Sequence, residues 1–104
     1  MLTTEDRMNI ARTIKSQIGI RTLMACGARD FVCGMNGDLS FKVGSSRGRI
    51  KMIHIILEPS DTYTVIYKEK YSSGPKKYED AYHKSVDDVY CDMLADIVYG
   101  MVNS

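Results

Sequence analysis

Tryptophan is absent from the 104 residues, and phenylalanine occurs only twice. A core here must be built from aliphatic side chains and some of the seven tyrosines. Two prolines leave no proline-rich linker or spacer. The three cysteines, Cys26, Cys33 and Cys91, are an odd number with no Cys-x-x-Cys spacing. That argues against a disulfide framework and a zinc site, so the cysteines read as small hydrophobes and reduced thiols. His54 and His83 are the only histidines and show no metal-ligand spacing. No structural metal and no cofactor is expected.

Long apolar runs are missing too. Met52 to Leu57 is the longest and is broken by His54, far short of a bilayer span. Met1-Leu2-Thr3-Thr4-Glu5-Asp6 carries neither the basic nor the apolar part of a signal peptide. These features predict a cytoplasmic protein without a membrane partner. Nor is there an excess of one charge. Lys and Arg number 14 against 13 Asp and Glu, which argues against wholesale polyanion binding. The length and the 44% hydrophobic content suit a single domain over residues 1–104.

What is present reads as helix, sheet, helix. Thr3 or Thr4 can cap a first helix, with Glu5 and Asp6 in its first turn. Met8, Ala11, Ile14 and Ile18 recur at helical spacing before Gly19. A short second helix is predicted over Ile20–Cys26, closed by Gly27. Asn36-Gly37 suits a two-residue type I′ hairpin turn. Such a turn pairs Met35 with Asp38, Cys33 with Ser40, Val32 with Phe41 and Phe31 with Lys42. Val32, Leu39, Phe41 and Val43 would then face the core, with Phe31, Cys33, Ser40 and Lys42 opposite.

Strands follow over residues 50–58 and 62–71. Ile53, Ile55 and Leu57, then Tyr63, Val65 and Tyr67, form their core faces. Residues 76–84 fit either a fifth, edge strand or a helical turn, with the strand favoured. A final helix is predicted from a Ser85 cap, with Val86, Val89, Tyr90, Met93, Leu94, Ile97 and Met101 as its apolar stripe. Tyr90 and Tyr99 join Tyr63 and Tyr67 as predicted core or core-edge tyrosines. The fold class is α+β: an antiparallel sheet of four or five strands with both helices on one face.

No catalytic motif emerges. Cys33 and His54 would share the outer sheet face, but no third group is placed to orient them. Asp87, Asp88, Asp92 and Asp96 lack the pattern of a calcium loop and read as a solvated face. The charge distribution is more telling. From Leu39 to Lys77, eight basic residues face three acidic ones, a net of +5. From Tyr78 onward, Lys84 faces six carboxylates, a net of −5. A basic sheet region therefore adjoins an acidic C-terminal region. The candidate binding residues are Lys42, Arg47, Arg49, Lys68 and Lys70, with Met52, Ile56 and Ile66 as apolar neighbours. Such a surface suits an acidic protein partner or self-association. Nucleic acid is the alternative, held by the Arg47/Arg49 loop and the sheet lysines.

Two resemblances bear on this reading. Gly74-Pro75-Lys76-Lys77 ahead of the last predicted helix is similar in layout to a double-stranded RNA-binding domain, which grips phosphate with a basic cluster there. The extra strand departs from that pattern, and Asp87-Asp88 would repel phosphate. Gly27-Ala28-Arg29-Asp30-Phe31-Val32, Leu39-Ser40-Phe41-Lys42, Asp61-Thr62-Tyr63-Thr64-Val65 and Val89-Tyr90 resemble small accessory proteins of tailed bacteriophages. That resemblance implies a viral origin, expression in a bacterial cytoplasm and an accessory or host-modulating role. One such role is to bind a host protein and inhibit a defence complex.

Overall fold

A computed structural model describes residues 3–34, 38–44 and 49–102. The chain runs α1 (Thr4–Ile18), α2 (Ile20–Ala25), β1 (Arg29–Cys33), β2 (Leu39–Lys42), β3 (Arg49–Leu57), β4 (Tyr63–Tyr71), β5 (Asp80–Val89), one 3-10 turn (Cys91–Met93) and α3 (Leu94–Val102). The five strands form one antiparallel sheet in chain order.

Local chemistry accounts for the helix ends. The Thr3 hydroxyl accepts from the Asp6 backbone N–H at 3.1 Å, and the Asp6 carboxylate accepts from the Thr3 N–H. This capping box satisfies two of the backbone groups that a helix start leaves open. Gly19, at φ 89°, ends α1 in a conformation that disfavours a side chain.

One apolar layer lies between the helices and the sheet. Ala11, Ile14 and Ile18 of α1, Leu23 of α2, and Leu94, Val98 and Met101 of α3 meet Leu39, Phe41, Ile53, Ile55, Tyr63, Val65, Tyr67 and Val89. All helical core residues thus sit on one sheet face, as expected. Tyr63 also donates its hydroxyl hydrogen to Gln17 at 2.6 Å, fastening α1 to β4. Some expected core residues fall short. Leu57 is only partly buried, Met8 is 44% exposed, and Met93 is 41% exposed.

The first hairpin is slipped by one residue from the expected register. Val32 pairs with Ser40 and Cys33 with Leu39, and the Gly34 N–H bonds to the Asp38 carbonyl. The expected Asn36-Gly37 turn itself lies outside the described residues. A one-residue slip exchanges the faces of a strand. Phe31 therefore points inward and packs on Phe41, with ring centroids 5.2 Å apart, while Val32 is 60% exposed. Burying the larger ring gains more apolar area than burying valine. A bulge at Asp30, which has φ 56°, completes the change.

The C-terminal helix begins later than predicted. Residues 85–89 belong to β5, and the helix starts at Leu94. Val86 and Val89 do face the core side, three residues apart, but through a second bulge. Val65 pairs with Val86 and Tyr63 with Val89, so three steps on β5 match two on β4. Asp88 takes φ 56° at that bulge. A bulged strand thus imitates the spacing of a helix. Tyr90 and Tyr99 are 58% and 50% exposed and are not core tyrosines. Asp87 and Asp88 accordingly belong to the sheet edge, not to a helix face. Lys76 and Lys77 lie in the β4–β5 connection, so the RNA-binding-domain likeness loses its basic helix start.

Candidate docking surface

The helices cover one face of the sheet, and side-chain alternation sends the even-numbered residues of β3 and β4 to the other. The register aligns that outer face in rows across the strands. Lys42, Met52, Lys68 and His83 form one row; Ser40, His54, Ile66 and Ser85 form the next. Ile50, Lys70 and Asp80 lie beyond the lysine row, and Ile56 and Thr64 lie on the far side of the histidine row.

Six of the eight predicted binding residues therefore meet on one surface: Lys42, Met52, Ile56, Ile66, Lys68 and Lys70. Arg49 does not join them. It is odd-numbered on β3 and emerges on the helix side of the sheet. There its guanidinium pairs with Glu69 at 3.0 Å and lies 5.3 Å over the Tyr71 ring. Glu69 also accepts from the Tyr67 hydroxyl at 2.8 Å. Burial alone would raise the Glu69 pKa, but the hydrogen bonds from Tyr67 and Arg49, with the Lys51 charge, outweigh it and hold the carboxyl below its usual range. Burial, followed by the bond to Glu69, pushes the Tyr67 phenol upward. Arg49 is thus a structural cation. Arg47 lies outside the described residues.

On the outer face, Ser40, Met52, His54, Ile66, Lys68 and Lys70 line a shallow depression of about 90 Å³. Small-molecule pockets are typically about 300–1,000 Å³, so this hollow fits a single inserted side chain. Lys42 pairs with Asp30 at 3.6 Å on a half-open surface. Lys68 and Lys70 form no ion pair with a described carboxylate. Their charge is therefore open to a partner.

The opposite end of the same face is acidic. Thr64 donates to Glu58 at 3.0 Å and lies 3.3 Å from the Asp87 carboxylate. Glu58, Asp87 and Asp88 gather there around Thr62 and Thr64. The exposed bulge of β5 places two of these carboxylates, which explains why a helical reading of residues 85–89 missed them.

His54 pairs with the Asp38 carboxylate, with only part of either side chain exposed. Gly34 makes room for this contact, because the Asp38 carboxylate occupies the position a β-carbon at residue 34 would take. Ser40 stands opposite His54 across the strands but makes no hydrogen bond to it. The expected Cys33–His54 proximity fails as well. The slipped register pairs Cys33 with Leu39, on the face opposite His54. Among the described residues no group of three His, Cys, Asp or Glu side chains could hold a metal ion. No described helix is long and apolar enough to cross a membrane.

Comparison with family models, with curated proteins and with solved structures finds no match to this chain.

Proposed function

We propose that this chain is a non-enzymatic protein-binding protein whose outer sheet face docks on an acidic surface of another protein. The observation that carries the proposal is the juxtaposition of Met52, Ile66, Lys68 and Lys70 around a hollow of side-chain size, with Lys42 and Ile56 beside it on the same face. Interfaces combine an apolar centre with a charged rim in this way. The phage-like stretches extend the proposal. They suit an accessory protein acting in a bacterial cytoplasm on a host protein, such as a component of a defence complex.

The test compares the natural chain with two folded variants in capture from host lysate. One carries Lys42→Glu, Lys68→Glu and Lys70→Glu; the other carries Met52→Asn and Ile66→Asn. Loss of the captured protein in both variants is expected, with unfolding curves shifted by only about 0.5 kcal/mol for each surface charge. Full retention by the folded charge variant refutes the proposal. Loss with the charges alone, together with binding to DNA or RNA that falls steeply in salt, assigns the face to nucleic acid instead.

A further inference from the structure

We infer that the outer sheet face is self-complementary and takes a second copy of this chain in an antiparallel, two-fold arrangement. The inference rests on the docking reading above and names its partner.

Two outer strands of the face run from basic to acidic, Lys42–Ser40–Asp38 along β2 and His83–Ser85–Asp87 along β5, while β3 passes Met52, His54 and Ile56 and β4 passes Lys68, Ile66 and Thr64 between them. Consider a two-fold axis lying in the interface and running across the strands, along the Ser40–His54–Ile66–Ser85 row. It brings each strand over its own counterpart with the direction reversed. Lys42 then faces Asp38 of the second copy, Met52 faces Ile56, and His83 faces Asp87. Lys68 faces Thr64, whose hydroxyl already sits against Glu58 and Asp87. Every one of these contacts occurs twice, as an isologous interface requires. Ile66 and His54 lie on the axis, and the hollow, which extends from them to Met52, Lys68 and Lys70, then faces the Ile56 and Thr64 side chains of the second copy.

The alternative two-fold axis, parallel to the strands, sets the Lys42–Lys68–His83 row against itself. Like charges would then meet at both ends of the face. Charge therefore selects the first axis. Packed sheets stand about 10 Å apart, enough for methionine and isoleucine side chains to interdigitate.

The area sets the expected strength. Four strands about 4.8 Å apart and roughly seven residues of about 3.3 Å cover a face near 400 Å² in projection. That lies below the roughly 800 Å² per partner of a stable complex, so the dimer is of the weak, transient class.

The experiment is sedimentation equilibrium of the purified full chain from about 5 to 500 µM, the range that resolves a micromolar dissociation constant. The average mass is expected to climb from 11.7 kDa toward twice that value. Lys68→Glu and Asp87→Lys should each weaken association at least about tenfold, the scale of one lost charge contact. The double variant Lys68→Glu/Asp87→Lys should recover it. An equimolar mixture of the two single variants should also associate, because each then offers the charge the other lacks. Arg12→Glu, the same charge change on exposed α1, should leave association unaltered. A chain that stays monomeric throughout overturns the inference, as does a dimer indifferent to both single substitutions. If the chain is monomeric while the Lys42/Lys68/Lys70 variant still loses its lysate partner, self-association falls and the docking reading stands.

Discussion

The slipped first hairpin makes opposite demands on two neighbouring residues, and alanine substitution separates them. Straight alternation from a two-residue turn buries Val32 and exposes Phe31, whereas the fold does the reverse. Complete burial of phenylalanine makes its truncation cost about 3–5 kcal/mol. Phe31 is partly buried, which scales that figure to roughly 2 kcal/mol. Its tilted packing on Phe41 adds about 0.5–1 kcal/mol. The Lys15 ammonium lies 4.1 Å from the ring centroid and contributes about 0.5 kcal/mol at this open site. Phe31→Ala should therefore cost about 3 kcal/mol. Val32, 60% exposed, should cost about 0.5 kcal/mol on the same change. Urea unfolding monitored by far-ultraviolet circular dichroism reads both values, with the slope held constant as a check on two-state behaviour. A Phe31/Phe41 double-mutant cycle should give a coupling above about 0.5 kcal/mol. A larger loss for Val32→Ala than for Phe31→Ala refutes the register and the face assignment built on it.

Two further outcomes test other parts of the structure. Asp88→Val should destabilise the chain by about 1–2 kcal/mol, because a β-branched residue resists the left-handed conformation of the β5 bulge, while Asp88→Gly should be close to neutral; equal losses would argue against the bulge. The Glu69–Tyr67 pair should shape both ends of a stability–pH profile. Glu69 titrates lower in the folded chain, so its contribution is complete above the unfolded value near 4.3 and fades as pH falls below it. Tyr67 titrates higher, so its contribution is complete below about 10 and fades as pH rises beyond that. Glu69→Gln should flatten the acid limb and Tyr67→Phe the alkaline limb; unchanged limbs would refute the pairing.

The sequence made the layout legible wherever an element kept its simple period. Ile53 and Ile55 alternate onto the core as a straight strand must, and Thr3 with Asp6 marks the start of α1 by a local hydrogen-bond exchange. Legibility failed where one extra residue entered a strand. The bulge at Asp88 turned a period of two into a step of three between Val86 and Val89, which is also the step of a helix. Only the left-handed preference of aspartate hinted otherwise, and aspartate serves equally well in a helix's first turn. The outer face was legible through Met52, Lys68 and Lys70 because β3 and β4 pair without interruption along it. Arg49 escaped because a charge count over a segment carries no information about side. Its position one residue from Ile50 was the available signal.

The chain-order arrangement of the strands has a consequence for the order in which structure can form. Each strand pairs with its sequence neighbours, so the sheet can grow as successive hairpins with short loops to close. The contact between α1 and α3 is different: it joins nearly opposite ends of the chain and is made across a sheet that must already exist to hold both helices. Contacts of such separation raise the entropic cost of reaching the folding barrier and are favoured late. Weakening the β3–β4 hairpin should then slow folding. Weakening Ile14 or Val98, both fully buried at the helix layer, should chiefly hasten unfolding. The sheet that presents the docking face is, by this reasoning, the first part of the molecule to take shape, and the helices act as the clasp that keeps it from coming apart.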